Sequence, residues 1–387
     1  MSAVALRGTN LAAPRVLILH ASGGMGHVKA AEAVAAAFAQ RHPDVAVRNV
    51  NVLDFARPVF RFLYEDGYNF ISAHWPGFWG WLYRRYDRPS RQGWLVAMTR
   101  WAMERPLLRL VREFNPDFIL GAHPMPTRLL AHVRDPAVAA IPTGVVVTDY
   151  GCHSFWVDEK TTRYYVATDE VKACVGGFRV PWQRIAVTGI PIDPKFARPI
   201  DVAAVRRQLR LPDDRPVVLV IGGLLSARYL EQLVPAVRAH VPAAQFLLVS
   251  GRDRTLERQL GASPLRRTAG VTVLGFINNL EELLAVADVA VTKAGGLTVS
   301  ECLAQGTPMA LPSAIPGQEE DNRAFLLRHR VAVSAMTPAA LAAAVTPLLT
   351  DRVQAAERRA RCRALGRPNA AVDLADDILR QIRMSGA

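Results

Sequence analysis

A histidine follows a glycine-rich loop near the start of the chain, in the stretch LILHASGGMGHVKAAEAV. Gly24 and Gly26 would let the backbone approach a ligand, and a helix beginning here would offer free N–H groups and its positive dipole end. That dipole disfavours the imidazolium form of His27, so we expect a neutral ring that can accept a proton. These residues predict a general base beside an anion or an electron-rich oxygen. The alternative is a tight structural turn with a capping or packing histidine.

Two nucleotide-binding chemistries lose support from the spacing of this loop. GGMGHVKA is not followed by the GK[ST] of a P-loop, and its glycines depart from the GxGxxG spacing of dinucleotide-binding folds. The loop therefore does not indicate ATP hydrolysis or NAD binding.

The stretch TKAGGLTVSECLAQG repeats the arrangement of glycines between an apolar run and a helical pattern. Backbone N–H groups at this second helix start would bind a diphosphate, and Glu301, one turn further on, would accept hydrogen bonds from a ribose diol. The nearby stretch IPGQEEDN adds a dense set of hydroxyl-binding groups, for which a solvated acidic helix start is the alternative. We predict ligand contacts in these two stretches at Lys293, Gly295, Gly296, Leu297, Thr298, Glu301, Gln318 and Glu319.

Strands and helices alternate along the whole chain and would position these loops. RVLILH is typical of a buried parallel strand, and Val34 and Phe38 then lie on one face of a helix. The alternation predicts an α/β protein of two doubly wound domains, with its cleft beyond the carboxyl ends of the strands. The proline-rich stretch GIPIDPKFARP indicates the linker, giving domains at 1–195 and 196–387. The last helix is a candidate to pack back on the first domain.

Other candidate residues stand where the predicted strands end, at the same edge of each sheet. His123 and His153 would orient a substrate or be buried hydrogen-bonding rings, and Arg252, like Lys293, would balance the charge of a bound diphosphate. We expect ligand contacts in the first domain at His123, Asp149 and His153, and in the second domain at Gly222, Gly223, Arg252 and Phe276.

Residues 59–101 hold 13 of the 29 aromatic side chains and five of the seven tryptophans, interleaved with arginines. Trp and Tyr favour the headgroup zone of a bilayer and Arg favours its anionic lipids, so this segment predicts membrane contact, with Trp79 and Trp81 as candidate lipid-binding residues. An aromatic helical subdomain packed on the sheet is the alternative. Single-stranded nucleic acid would also stack on such rings, but no nucleic-acid-binding motif accompanies them, and we expect no nucleic-acid partner.

Composition limits the class of protein. Lys and Arg exceed Asp and Glu by 13, which favours anionic partners, although a GC-rich genome also inflates arginine. The chain shows neither a signal peptide nor an apolar stretch of about 18 residues, so we expect no membrane-spanning helix. Four well-separated cysteines without a CxxC pair argue against a zinc site or a disulfide framework and fit a reducing cytosol.

The combined motifs resemble a known family. GGMGHVKAAEAV, TDYGCHSFWVDE, YYVATDEV, VTGIPIDPKF, KAGGLTVSECLAQGTPM and IPGQEEDN are similar to the monogalactosyldiacylglycerol synthases and bacterial processive diacylglycerol glucosyltransferases, a family of glycosyltransferases. The loop GGMGH departs from the more usual GxGH form, and the aromatic segment is unusually rich in tryptophan. Both departures concern the acceptor more than the type of reaction.

This resemblance implies a GT-B fold, with the acceptor bound by the first domain and a UDP-sugar by the second. It implies an inverting transfer without a metal or other cofactor, to diacylglycerol, at the cytoplasmic face of the cell membrane with anionic lipids as peripheral partners. It makes His27 the base or acceptor-positioning residue, and it assigns the ribose to Glu301. The diphosphate contacts implied are Gly295, Gly296 and Thr298, and the sugar contacts implied are Gln318 and Glu319.

Two other functions fit the same architecture. An epimerase acting on UDP-N-acetylglucosamine would need no lipid and no aromatic segment. A non-catalytic UDP-sugar or lipid binder would keep its affinity for the ligand but release no UDP. The sequence does not distinguish glucose from galactose or N-acetylglucosamine as the transferred sugar.

Overall fold

The computed structural model describes residues 13–22, 25–64, 67, 75–85, 87, 93–222, 225–312 and 317–386. Within these ranges the side chains of residues 76, 79, 82–84, 93–96 and 386 are not described. Of the predicted contact residues, Gly24, Gly223 and the side chain of Trp79 therefore lie outside the described part of the chain.

Six strands from the first half of the chain form one parallel sheet. They are β1 (Arg15–His20), β2 (Ala46–Asn51), β3 (Phe118–Gly121), β4 (Thr143–Val146), β5 (Arg163–Val166) and β6 (Ile185–Val187). Their order is β2-β1-β3-β4-β5-β6, and Leu17 of β1 lies opposite Arg48 on one side and Ile119 on the other. The last five residues of β1 are buried, as expected for an apolar strand covered on both faces.

A second parallel sheet of six strands forms the second domain. Its strands are β7 (Val217–Ile221), β8 (Gln245–Val249), β9 (Val271–Leu274), β10 (Val289–Val291), β11 (Met309–Leu311) and β12 (Ala332–Ser334). Their order is β12-β11-β10-β7-β8-β9. The two sheets are the doubly wound halves that the alternating pattern predicts.

Helices cover the sheets. Those of the first half are α1 (Met25–Arg41), α2 (Pro76–Arg85), α3 (Gly93–Phe114), α4 (Pro124–Ala131), α5 (Pro136–Ala139) and α6 (Asp169–Gly177). Those of the second half are α7 (Val202–Gln208), α8 (Ala227–His240), α9 (Arg254–Ala262), α10 (Leu280–Val286), α11 (Gly296–Gln305), α12 (Gln318–Arg328), α13 (Pro338–Thr350), α14 (Arg352–Leu365) and α15 (Ala370–Gly386). Because α1 follows β1 and α11 follows β10, both glycine-preceded helices begin at the carboxyl edge of a sheet.

The chain crosses between the domains twice. It leaves the first sheet after Val187 and enters the second domain with α7, and it returns after α14 so that α15 packs against α1. The two crossings touch each other: Gly189 has a φ of +91°, and a Cβ at this position would lie 2.5 Å from Cβ of Arg367. Glycine is therefore required where the crossings meet.

The aromatic segment forms helices on the first domain. Residues 58–64 are helical, and α2 and α3 follow. Among the described side chains of this region, large exposed apolar groups occur on all three helices: Val59, Phe62, Leu63, Phe78, Trp81 and Trp101. No helix in the described ranges combines the length and the apolar content needed to cross a bilayer.

One expectation about the cysteines is wrong. Cys152 and Cys174 form a disulfide, with their Cα atoms 6.2 Å apart. The sequence separation of 22 residues gives no hint of this contact, which arises because the loop after β4 lies beside the helix that follows β5. Cys302 and Cys362 are free and buried.

The packing of α15 on the first domain predicts an effect on stability. Leu374 is fully buried in one cluster with Val34 and Phe38, so Leu374→Ala should lower the free energy of unfolding by about 3 kcal/mol. Urea unfolding followed by tryptophan fluorescence would report it, because all seven tryptophans precede residue 195. The control Met384→Ala, at a side chain 74% exposed, should leave the transition unchanged. An unshifted transition in Leu374→Ala would contradict this packing.

Candidate functional site

His27 is the third residue of α1 and lies in the cleft, partly exposed. Its Nδ1 lies 2.9 Å from the carbonyl oxygen of Ala122 and 3.2 Å from Oγ1 of Thr148. A carbonyl oxygen only accepts, so Nδ1 carries the proton and Nε2 keeps its lone pair. Nε2 makes no hydrogen bond to a residue that the structure describes. Burial lowers the pKa of His27 to about 4, so the ring is neutral at pH 7.

His123 forms an edge-to-face contact with His27, with ring centroids 4.7 Å apart. Its Nδ1 accepts a hydrogen bond of 3.1 Å from the N–H of Met125 and thereby caps α4. The proton must then be on Nε2, which donates to the hydroxyl of Tyr64 over 2.8 Å. Burial and the neighbouring His27 hold the pKa of His123 well below its usual value. The two imidazoles therefore form a neutral pair.

Thr148 joins this imidazole pair to the second domain. Its hydroxyl lies beside His27, and its carbonyl oxygen lies against Gly296, where a Cβ would approach it to 2.0 Å. Only glycine permits so close a contact. The N-terminus of α11 and the imidazole of His27 thus lie on two sides of one residue.

The start of α11 offers free backbone donors. Gly295 is its N-cap residue, and no side chain in the described part of the chain caps the helix. Leu297 and Thr298, in the first turn, are partly exposed. The first N–H groups of a helix have no partner within it, and the helix dipole adds positive potential there. This end of α11 therefore suits an anion such as a diphosphate.

Glu301 lies one turn further along α11 and makes no hydrogen bond to a described residue. Burial raises the pKa of Glu301 to about 8, while the charges of Lys195 and Lys29 oppose the rise. Because Lys29 belongs to α1, this carboxyl group lies near both domains. In the ligand-free protein it is protonated at pH 7, so it does not repel an anionic ligand.

Lys293, which follows β10, and Glu319, on α12, form an ion pair in which Nζ and Oε1 lie 2.9 Å apart. Glu319 is buried at the start of α12, whereas Lys293 is partly exposed. Gln318, the first residue of α12, is also partly exposed. The chain turns into this helix at Gly317, whose φ of 107° requires glycine.

Arg252 and Phe276 stand together after β8 and β9. The guanidinium lies 5.2 Å from the ring centroid, a cation–π contact, and reaches across the cleft to the sulfur of Met25. Phe276 is exposed, so its aromatic ring is open to stacking with a planar group such as a nucleobase. Gly222 lies nearby in the sheet, where its N–H donates to the carbonyl of Val249 over 2.7 Å.

The domains are joined by a residue that the sequence placed only among hydroxyl-binding groups. Asn322 is fully buried on α12; its Oδ1 accepts from the N–H of Tyr150 over 2.7 Å, and its Nδ2 donates to Ala294 and Asp149. Tyr150 in turn places its hydroxyl 2.9 Å from Oγ of Ser300. The run QEEDN indicated polar binding groups, but not that the last of them spans the domains.

His153 occupies a structural position. Its Nδ1 accepts from the N–H of Phe155 over 3.1 Å and caps the short 3-10 helix Ser154–Trp156. Its ring is buried and stacks on Phe155. Trp81 lies away from these groups on α2, exposed and stacked on Phe78. Among the residues that the structure describes, no cluster of His, Cys, Asp and Glu is arranged to hold a metal ion.

Each half of the chain matches a known family model. Residues 27–192 match the family model described as monogalactosyldiacylglycerol (MGDG) synthase. Residues 217–374 match the one described as glycosyltransferase family 28 C-terminal domain. The first half of the chain is thus similar to the MGDG synthases, and the second half to the C-terminal domain of glycosyltransferase family 28. The family resemblance seen in the sequence motifs is confirmed.

Curated relatives match almost the full chain. The processive diacylglycerol beta-glucosyltransferase of Bacillus mycoides (strain KBAB4) is 28% identical over 379 residues, which are 95% of this chain and 94% of the relative. The protein of the same name from Bacillus cereus (strain AH187) is 27% identical with the same coverage.

Solved structures share the fold of this chain at low identity. MurG of Acinetobacter baumannii is 17% identical with a TM-score of 0.55, covering 95% of this chain and 99% of its own. The glycotransferase of kitacinnamycin is 18% identical with a TM-score of 0.64, covering 96% and 99%. A putative UDP-N-acetylglucosamine 2-epimerase from Listeria monocytogenes is 12% identical with a TM-score of 0.63, covering 96% and 98%. The predicted GT-B fold is confirmed.

Asp149, in the loop after β4, has an unusually high pKa for an aspartate. Burial raises the pKa of Asp149 to about 6; the hydrogen bond from Asn322 opposes the rise, and the charges of Asp321 and Glu319 add to it. A carboxylate that is costly to ionise is often retained for function.

This pKa shift predicts a pH-dependent gain in stability for Asp149→Asn. A raised pKa stabilises the folded protein at low pH, and that stabilisation is lost as the pH rises through about 6. At pH 8 the variant should therefore be more stable than the original by up to about 2 kcal/mol, and the difference should close towards pH 4. Urea unfolding at both pH values would measure it.

The matched control is Asp213→Asn, at a side chain that is 90% exposed, for which no such pH dependence is expected. If Asp149→Asn destabilised the protein equally at pH 4 and pH 8, the burial cost assigned to this carboxylate would be wrong.

Proposed function

We propose that this chain is an inverting glycosyltransferase that moves a hexose from a UDP-sugar to the hydroxyl of diacylglycerol, or of a glycosyldiacylglycerol, to make membrane glycolipid. The observation that carries the proposal is the position of Thr148, which touches both the imidazole of His27 and the N-terminus of α11. A proton acceptor and an anion-binding helix end then flank one space. The names of the curated relatives support the acceptor, and the second-domain match supports a sugar nucleotide donor.

On the acceptor side, His27 is the proposed general base. Its Nε2 lone pair takes the proton of the lipid hydroxyl as that oxygen bonds to the anomeric carbon. The bond from this carbon to the diphosphate breaks on the opposite face, through an oxocarbenium-like state. Gly26, His123 and Asp149 would line the acceptor side near this base, while the buried His153 would support the loop that carries Asp149.

On the donor side, the start of α11 would hold the diphosphate that leaves. The N–H groups of the first turn stabilise the charge that develops on the leaving oxygen, with Lys293 and Arg252 as nearby cations. Glu301 would bind the ribose hydroxyls. Gln318 and Glu319 would bind the hydroxyls of the sugar, and Phe276 would pack against the uracil.

The exposed aromatic helices would hold the enzyme at its lipid substrate. Burial of each large side chain, such as Phe62 or Trp81, in the headgroup zone would contribute about 1.5–3 kcal/mol. Arginines between them suit anionic lipids, which we propose as partners at the cytoplasmic face of the cell membrane. A transferase that takes diacylglycerol needs such contact, whereas an epimerase does not.

The reaction itself is the first test of this function. Incubation of the full chain with diacylglycerol and each of a panel of UDP-sugars, followed by mass spectrometry of the lipids, should give a monohexosyl lipid from at least one donor. Further hexose additions would identify a processive enzyme. A change of the sugar with donor alone would indicate an epimerase, and ligand binding without UDP release a non-catalytic binder.

Substitution of the proposed base tests the mechanism. His27→Gln should lower kcat about 10²-fold or more, because the acceptor proton loses its destination, while UDP affinity measured by calorimetry stays the same. In the unsubstituted enzyme the base must be unprotonated, so the contribution of His27 should persist at neutral pH and be lost as the pH falls through about 4. His240→Gln, at an exposed position on α8, serves as control. Near-normal transfer by His27→Gln would exclude this role.

A further inference from the structure

The helix at residues 58–64 has two chemically different faces. Val59, Phe62 and Leu63 point outward and are 64%, 64% and 61% exposed. Phe60 is buried in the first-domain core, and Tyr64, one helical turn further on, lies on the same inner face. The rings of Phe60 and Tyr64 stack with centroids 5.9 Å apart. Because Tyr64 belongs to this helix, any displacement of the helix by a partner on its exposed face also displaces Tyr64.

Tyr64 connects this helix to the imidazole pair. Its hydroxyl accepts the hydrogen bond of 2.8 Å from Nε2 of His123. The other ring nitrogen of His123 is occupied by the N–H of Met125 at the start of α4. The plane of this imidazole is thus fixed at two points, one on the domain scaffold and one on the helix with the exposed apolar face.

His123 transmits its orientation to His27 by direct contact. The two rings meet at 85° with centroids 4.7 Å apart, so a tilt of one ring displaces the edge of the other. His27 itself is anchored only through Nδ1, to Ala122 and Thr148, among the described residues. Its Nε2 edge, where the acceptor proton would arrive, depends on the rings packed around it.

We propose that Tyr64 is a positioning residue through which contact of helix 58–64 with a lipid bilayer sets the orientation of His123 and His27. This inference rests on the proposed function, since it requires a lipid acceptor. The enzyme bound to a bilayer then holds His27 in the productive orientation more firmly than the enzyme free in water does. The consequence is stimulation of transfer by the membrane surface, beyond simple concentration of the substrate.

A bilayer is the occupant that the chemistry around this helix fits. Arg57 lies 4.4 Å from the ring centroid of Trp101, which is itself exposed beside the helix. Arg61 is 48% exposed between Phe62 and Phe60 in the chain and pairs with Asp54. Apolar side chains with tryptophan and arginine at their margin match the boundary between acyl chains and anionic headgroups.

The test compares Tyr64→Phe with the original chain on two forms of acceptor. One is a short-chain diacylglycerol dissolved as monomers; the other is long-chain diacylglycerol in vesicles of phosphatidylcholine and phosphatidylglycerol in equal parts. Phenylalanine keeps the ring that stacks on Phe60 and removes only the hydroxyl. Tyr165→Phe is the matched control, because it removes the hydroxyl of another buried tyrosine of the first domain, in a different core cluster from Phe60.

We expect the ratio of kcat on vesicles to kcat on monomers to fall about tenfold in Tyr64→Phe, the scale of losing one neutral hydrogen bond. Vesicle binding by sedimentation and the KM for the donor should not change, and Tyr165→Phe should keep the original ratio. An unchanged ratio in Tyr64→Phe, or an equal loss on both acceptors, would overturn the inference. If the original chain transfers sugar to neither acceptor with any donor, the proposed function fails first, and the inference falls with it.

Discussion

One buried amide, that of Asn322, fixes the geometry on which the cleft depends. It satisfies both of its polar atoms by joining α12 to the loop after β4, and so it holds a loop of one domain against a helix of the other. Beside it, the carbonyl of Thr148 lies against Gly296 without room for a side chain. Because Asn322 is fully buried and both of its polar atoms are hydrogen-bonded, these contacts hold the two helix starts at a fixed spacing.

The protonation states around the cleft follow from this burial. His27 and His123 lose their charge because low solvent access disfavours imidazolium, and Glu301 lies protonated at neutral pH for the same reason. Because these three side chains are neutral, the ligand itself brings most of the negative charge into the site. An incoming diphosphate meets backbone dipoles and the cations Lys293 and Arg252, and a neutral base remains available on the other side.

Much of this arrangement was predictable from local patterns, and the exceptions share one physical cause. The apolar runs and the 3.6-residue period predict the strands and helices, and glycines before a helix predict the anion-binding start of α11. The pairing of Cys152 with Cys174, the span of Asn322 and the bond from Tyr64 to His123 were not predictable. Each depends on which loops tertiary packing brings together, and neither residue type nor spacing carries that information. The strands β6 and β12 have only three residues each, too few to show an apolar run or an alternation in the sequence.

The contact between Gly189 and Arg367 has a mechanical consequence. Both polypeptide links that join the lobes pass through one point, so that point acts as a pivot. A rotation of the lobes about this point would stretch neither link, whereas a separation of the lobes would stretch both. Opening of the cleft about this point would break the contacts of Asn322 with Tyr150, of Tyr150 with Ser300 and of Thr148 with Gly296.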